Sequence, residues 1–412
     1  DIDMADMVYQ DYLEKLVVER VIPEQVLNDS VKRVLLLKYN LGLFDNPYTD
    51  NTREEHELYS AYALKLAKIC AEKSIVLLKN KNNALPLPIK SKALIVGSLA
   101  KDKTAMHGSW AYYDDVTRTI DLVDGLNKVY NIDYLPCFNK DSIFEEDLTL
   151  AINNIDKYDR VFLVAGEDIN MAGEAASRSS LELSDIEKEV IVQFSYRTNK
   201  LTLLLINGRP LALQSVEQYF DSIVECWNLG TMAGEAVAEV LVGRVNPQGK
   251  LTMSFPRVTG QCPLYYNHEN TGRPYGTDKY TSKYIDVADG ALYPFGYGLT
   301  YSDITISDCA IEELTDKSVT VSMIMRNDSD VDCIETAQLY ASPVYSCPVA
   351  PVMQLVGFVK EQINARSSAV VTITVDKDTI FHYTQPTNII CHDYVLYIGL
   401  SSNDTLSLQV TL

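Results

Sequence analysis

Residues 8–42 carry apolar positions at helical spacing: Leu13, Leu16 and Val17, then Val26, Val31, Val34 and Leu35. Pro23 opens the second segment as a helix start, and Gly42 follows its last apolar position as a C-terminal cap would. Asn46-Pro-Tyr48 and the polar stretch to Glu57 read as a linker. Two helices without a partner sheet make a poor domain, so this segment reads as the tail of one. From residue 58 the pattern changes. A helix over 59–74 leads into Ile75-Val-Leu-Leu78, and further apolar runs follow at Ala93–Gly97, Val161–Gly166 and Leu201–Ile206. Short continuous apolar strands separated by helical segments predict a largely parallel sheet covered on both faces, through about residue 258. Ligands bind such sheets beyond the carboxyl ends of the strands, so the residues after Gly97, Gly166 and Ile206 are expected along one edge. Residues 259–300, rich in Tyr, Gly, Pro and Asn, read as an interdomain strap or functional loop. Beyond Tyr301 the period falls to two, in Val319–Ile324, Ala337–Ala341, Ala369–Val375, Tyr394–Ile398 and Leu406–Leu412. Those short alternating strands predict an antiparallel β-sandwich of immunoglobulin-like type over 301–412.

Composition narrows the chemistry by exclusion. The chain has 412 residues and a formal charge of −20, which disfavours nucleic acid and anionic membranes as partners. No apolar run is long enough to span a bilayer. The eight cysteines show neither CxxC pairs nor Cys/His clusters at metal-ligand spacing, and several lie in apolar runs such as Ser222–Trp227, which favours buried free thiols. The sequons at Asn28, Asn327 and Asn403 occur at about the chance rate and say little about secretion. No P-loop, GxGxxG, HExxH or GxSxG motif is present. What remains is the segment Ala165-Gly-Glu-Asp-Ile-Asn-Met-Ala-Gly-Glu-Ala-Ala-Ser-Arg178, which leaves a strand end with two glutamates and an arginine. A Glu on a mobile arm near an Arg suits a proton donor. The residues alone favour a solvated loop whose Glu–Arg pair is structural and caps the next helix, with Ser184-Asp-Ile-Glu187 as a capping box just beyond. Asn207-Gly-Arg-Pro210 reads first as a turn, and His107-Gly-Ser-Trp110 offers either an aromatic plate or a core Trp.

Taken together, Lys73-Ser-Ile-Val-Leu-Leu-Lys-Asn80, Gly108-Ser-Trp110, Gly166-Glu…Glu174-Ala-Ala-Ser-Arg178 and Asn207-Gly-Arg-Pro-Leu-Ala212 resemble glycoside hydrolase family 3 β-glucosidases of the bacterial type. So do Asn246-Pro-Gln-Gly-Lys-Leu251, Ser254-Phe-Pro256, Asn270-Thr-Gly-Arg-Pro-Tyr275 and Tyr293-Pro-Phe-Gly-Tyr-Gly-Leu-Thr-Tyr301, and all of these run in family order. The resemblance implies three parts: a TIM-like barrel, an α/β sandwich and a fibronectin type III-like module. Residues 1–57 would then be the last helices of the barrel with a linker, 58–258 the α/β sandwich, 259–300 the loop and 301–412 the β-sandwich.

The same resemblance implies a retaining hydrolysis of β-linked glucosides or oligosaccharides without metal or organic cofactor. Glu174 matches the position of the general acid/base, with Glu167 as the alternative or as the residue orienting the loop, and Arg178 and Trp110 as substrate contacts. The barrel's Ser-Asp nucleophile motif is expected upstream of Asp1, so no nucleophile is assigned in this chain; Asp1, Asp3 and Asp6 align after that motif. Hence the isolated chain is expected to be inactive, and the barrel portion as a separate chain is one of the partners to be considered. The alternatives are a non-catalytic fragment or sugar-binding subunit, and a β-xylosidase within the same family. The resemblance also suggests a periplasmic or secreted location.

Overall fold

The computed structural model describes residues 1–111, 115–344, 350–384 and 391–412. These divide into two compact units, Asp1–Ala63 and Leu64–Leu412. In the first, a turn of π-helix at Tyr9–Leu13 runs into the helix Glu14–Val18, and Pro23, in extended backbone, opens the helix Glu24–Asn40. Gly42 takes a left-handed φ of 70° just past its end, where a side chain would be strained. The stretch expected to be linker also contains a short helix, Arg53–Glu57, where Arg53 and Glu57 face each other one turn apart at 3.7 Å.

The second unit holds a six-stranded sheet. Its strands are β1 (Val76–Asn80), β2 (Lys92–Val96), β3 (Asn131–Leu135), β4 (Arg160–Gly166), β5 (Leu201–Ile206) and β6 (Ser222–Glu225). The order is β1-β6-β5-β4-β2-β3, parallel throughout except for β1, which pairs antiparallel with β6 at one edge. Every residue of β4, β5 and β6 is buried, because apolar layers cover both faces. Alternation divides the strands between the layers. Val161, Leu163 and Ala165 face one core with Val190, Ile191 and Phe194; Phe162 and Val164 face the other with Ala236, Val237 and Leu241. From β2 the chain runs to β3 on one side, then crosses back to β4 on the other. That reversal opens the sheet edge at the carboxyl ends of β2 and β4, where ligands bind in such folds.

The remaining strands are β7 (Ile304–Leu314), β8 (Ser318–Asn327), β9 (Cys333–Pro343), β10 (Gln354–Ile363), β11 (Ser368–Asp376), β12 (Asp393–Ser401) and β13 (Asp404–Thr411). They form antiparallel sheets ordered β10-β9-β12-β13 and β11-β8-β7. Val319, Val321, Met323 and Met325 from one sheet meet Ala337, Leu339, Leu396 and Ile398 from the other, the period-two pattern turned into a core. The architecture is a mixed, mostly parallel α/β layer followed by a seven-stranded sandwich. Residues 259–300 form no regular strand, but Tyr293 and Leu299 bridge to Phe255 and Leu77, and Glu269 bridges to Pro351. Tyr266 stacks on Phe295 at 4.1 Å and meets Tyr340 of β9 edge-on.

Among the described residues Cys70, Cys137, Cys226, Cys262, Cys309 and Cys333 are free thiols, with Cys137, Cys226 and Cys333 buried; Cys347 lies outside the described residues. Asn327 of the second sequon is fully buried with its amide donating to the Val331 carbonyl, so it is closed to glycosylation in the folded chain.

Candidate active site

The strand ends converge as the parallel register requires. Gly166 of β4 lies beside Ile206 of β5, and Leu205 beside Glu225 of β6. At Gly166 the chain turns with φ of 139°, and a Cβ there would stand 2.0 Å from the Ile206 carbonyl oxygen. Only glycine lets the backbone leave the sheet at this point, and it delivers Glu167 directly over the edge.

Glu167 is 1% exposed. Its Oε1 accepts from Arg178 Nη1 at 2.8 Å and lies 3.0 Å from Arg209 Nε, while Oε2 accepts the Gly208 amide at 3.2 Å. Arg178 also donates to the Glu182 carbonyl, and Arg209 donates to the carbonyls of Met171 (2.6 Å) and Ala176 (2.9 Å). The base of the 167–178 loop is thus closed by one buried carboxylate and two guanidiniums, a charge-assisted arrangement that fixes direction as well as distance. The Glu–Arg pair does not cap the following helix. Ser184 and Glu187 do that through a capping box, with Glu187 also accepting the Gly166 amide.

Glu174 stands at the exposed crest of the same loop, between Gly173 (φ 103°) and Ala175 (φ 56°), both left-handed. Among the described carboxylates of this loop it is the one with neither ion pair nor hydrogen bond; Asp168 accepts the Asn170 amide and lies 3.8 Å from Lys140. Gly173 rests against Ser109, whose Oγ is 2.1 Å from the place a Cβ would take, with Trp110 Nε1 3.8 Å from it. Trp110 is 75% exposed, so it is a surface plate and not a core residue. The structure therefore brings Glu174 and Trp110 to neighbouring walls of one edge, and places Arg178 beneath the loop with donors on Glu167 and Glu182.

Asn207-Gly-Arg-Pro210 is a turn: the Asn207 amide donates to the Arg209 carbonyl. Gly298 fits closely against the Gly249 carbonyl, a loop-shaping role. Sequence reading passed over Glu225, the last residue of β6, which is fully buried. It accepts from the Trp227 amide at 2.8 Å and from Asn207 Nδ2 at 3.0 Å. The signal available was an acid inside the apolar run Ser222–Trp227. Chemically the edge offers one solvated carboxylate on an anchored loop beside an indole face. That suits proton transfer to a sugar oxygen, with the ring stacked on an aromatic plate.

Residues 75–301 match the glycosyl hydrolase family 3 C-terminal domain, and residues 335–402 match a fibronectin type III-like domain. The periplasmic beta-glucosidase of Salmonella typhimurium is 33% identical over 93% of this chain and 55% of its own length. A putative beta-xylosidase of Formosa agariphila is 29% identical over 98% of this chain and 54% of its own. The crystal structure of beta-glucosidase from Listeria innocua superposes with a TM-score of 0.90 at 30% identity, covering 100% of this chain and 58% of that one. The chain spans about half the length of the curated relatives it matches. With its family domain over residues 75–301 and the fold that goes with it, the chain belongs to glycosyl hydrolase family 3.

Proposed function

We propose that this chain is the acid/base-bearing part of a retaining β-glucosidase, with Glu174 protonating the leaving oxygen and then deprotonating the attacking water. The observation that carries this reading is the contrast within one loop. Glu167 is buried and tied to two arginines, whereas Glu174 is solvated and unpaired on a crest that those arginines hold in place. Retaining enzymes set their two carboxyl groups about 5–5.5 Å apart, and on the family resemblance the nucleophilic Asp belongs to the barrel portion of the complete protein. The helix Glu24–Asn40 supports a barrel origin for the first unit: Val26, Val31, Leu35, Leu36, Leu37 and Tyr39 are all exposed, more apolar surface than a free helix carries. Trp110 offers a stacking face for a sugar ring, and Arg178 acts through Glu167 on the loop. β-Xyloside preference is the second reading, favoured by the similarity to the Formosa agariphila protein.

The test uses the complete protein. Glu174→Gln is expected to lower kcat/KM for alkyl β-glucosides and cellobiose by about a hundredfold or more, with far smaller loss of kcat/KM on 2,4-dinitrophenyl β-glucoside, whose leaving group needs no proton. Equal losses on both substrate types would remove Glu174 from the acid role. The 412-residue chain alone is expected to show no turnover of either.

A further inference from the structure

The mechanism above makes no use of Glu225, yet its placement is unusual for a side chain without a role. It is completely buried, and no cation pairs with it among the described residues. Its two oxygens hold two different turns. Oε1 takes the Trp227 amide (2.8 Å) and so closes a turn in which Trp227, a non-glycine residue, adopts φ of 54°. Oε2 takes Asn207 Nδ2 (3.0 Å), whose other hydrogen goes to the Arg209 carbonyl (2.8 Å). Both amide hydrogens therefore have acceptors, and the reverse amide orientation would set oxygen against oxygen.

Each turn continues into one wall of the site. From Trp227 the chain passes to Asn228, whose amide donates to the Ala105 carbonyl (2.7 Å) and packs on Gly108, next to Ser109 and Trp110. From Asn207 it passes to Gly208 and Arg209, which hold Glu167, Met171 and Ala176 at the base of the Glu174 loop. We propose that Glu225 is a positioning residue that sets the Trp110 wall through the Trp227 turn and the Glu174 loop through the Asn207–Arg209 turn. The catalytic part of this inference rests on the acid/base reading of Glu174; the structural part does not.

The carboxyl also titrates in an accessible range. Burial pushes it up to about 8, opposed by the Trp227 and Asn207 hydrogen bonds and reinforced by the charge of Glu167 at the end of β4. The neighbouring Cys226 thiol, likewise raised by burial, stays neutral there; Val76 of β1, facing Glu225 across the sheet, carries no charge. Neither Arg178 nor Arg209 is paired with Glu225; both guanidiniums pair with Glu167.

Hydrogen exchange on the 412-residue chain at pH 9, where the Glu225 carboxylate is ionised and can accept both bonds, separates the two arms. A Gln has one acceptor for two donors, so Glu225→Gln keeps the Trp227 bond or the Asn207 bond but not both, while Glu225→Ala loses both. The expected result for Glu225→Ala is exchange faster by about tenfold or more in both 105–110 and 168–178, with β4 and β5 protected as in the parent. Glu225→Gln is expected to release one of those segments only, and Asn207→Ser to release 168–178 only. Tryptophan emission of the parent should step near pH 8, persist in Trp110→Phe and vanish in Glu225→Gln. In the complete enzyme, Glu225→Ala is expected to lower kcat on alkyl glucosides about ten- to hundredfold, as for a displaced catalytic group. Uniform exchange changes across the sheet, or none, would overturn the positioning role. Local release with unchanged kcat would overturn its catalytic part while leaving Glu174 as the acid; local release with no leaving-group dependence in Glu174→Gln would instead overturn the acid reading.

Discussion

Replacing each glutamate of the loop in turn gives opposite results if the geometry is read correctly. Glu167→Gln removes the buried negative charge that pairs with both Arg178 and Arg209, whose side chains are 19% and 24% exposed while that of Glu167 is fully buried. Breaking a buried ion pair by neutralising one partner costs about 3–5 kcal/mol. The arginines keep some water and Gln keeps one acceptor oxygen, which lowers the expected loss to about 2–4 kcal/mol. Glu174→Gln touches an exposed side chain without partners and is expected to stay within about 0.5 kcal/mol. Urea unfolding followed by tryptophan emission measures both, because Trp110 and Trp227 are the two tryptophans and both lie in the α/β layer. With a urea slope of about 3 kcal/mol per molar, the Glu167→Gln midpoint should fall by roughly 1 M. Limited proteolysis should cut the variant between 168 and 178, where the parent resists. A Glu167→Gln midpoint within 0.2 M of the parent, or an equal fall in Glu174→Gln, would refute the division of labour between the two carboxyls.

Two further perturbations probe the framework. Gly234→Ala would place a Cβ 1.9 Å from the Asp121 carbonyl oxygen, where the helix Ala233–Leu241 crosses Leu122–Leu126; neither backbone can retreat, so a loss of about 3 kcal/mol or more is expected, read as a thermal midpoint lower by roughly 6–12 °C or as insoluble product, and an unchanged midpoint would contradict that contact. Iodoacetamide at pH 8.5 should label the exposed Cys70 and Cys262 in the native chain, and Cys137, Cys226 and Cys333 only after unfolding, since burial lifts those thiols, Cys137 to about 12 and Cys333 to about 11; peptide mass mapping decides it, and native labelling of Cys226 would mean that the end of β6 is open.

The strands that could be read from the chain are those with strong burial patterns. Val161–Gly166 and Leu201–Ile206 are continuous apolar runs because layers cover both faces of β4 and β5. β3, β7 and β10 escaped that reading, and each is an edge strand. Asn131-Ile-Asp-Tyr-Leu135 is half exposed, and β7 is mostly exposed and twice irregular in register, so neither needs a clean period. Arg53–Glu57 was missed for a related reason: a single polar helical turn has no apolar stripe to display.

Local sequence determined much of the site's backbone. The Asn207-Gly-Arg turn is closed by a side-chain-to-backbone bond two residues long, and Ser184–Glu187 forms its capping box without distant help, whereas Gly166 and Gly173 are required by the distant Ile206 carbonyl and Ser109. What sequence could not decide was which glutamate is buried. Glu167 and Glu174 stand on one segment near the same Arg178, and nothing local separates them. The separation comes from Arg209 and Gly208, brought from the end of β5 because β4 and β5 are parallel neighbours, and from Glu225 behind them at the end of β6. Strand order is a property of the packed sheet. Only that order sets two guanidiniums on one carboxylate and leaves the other facing water.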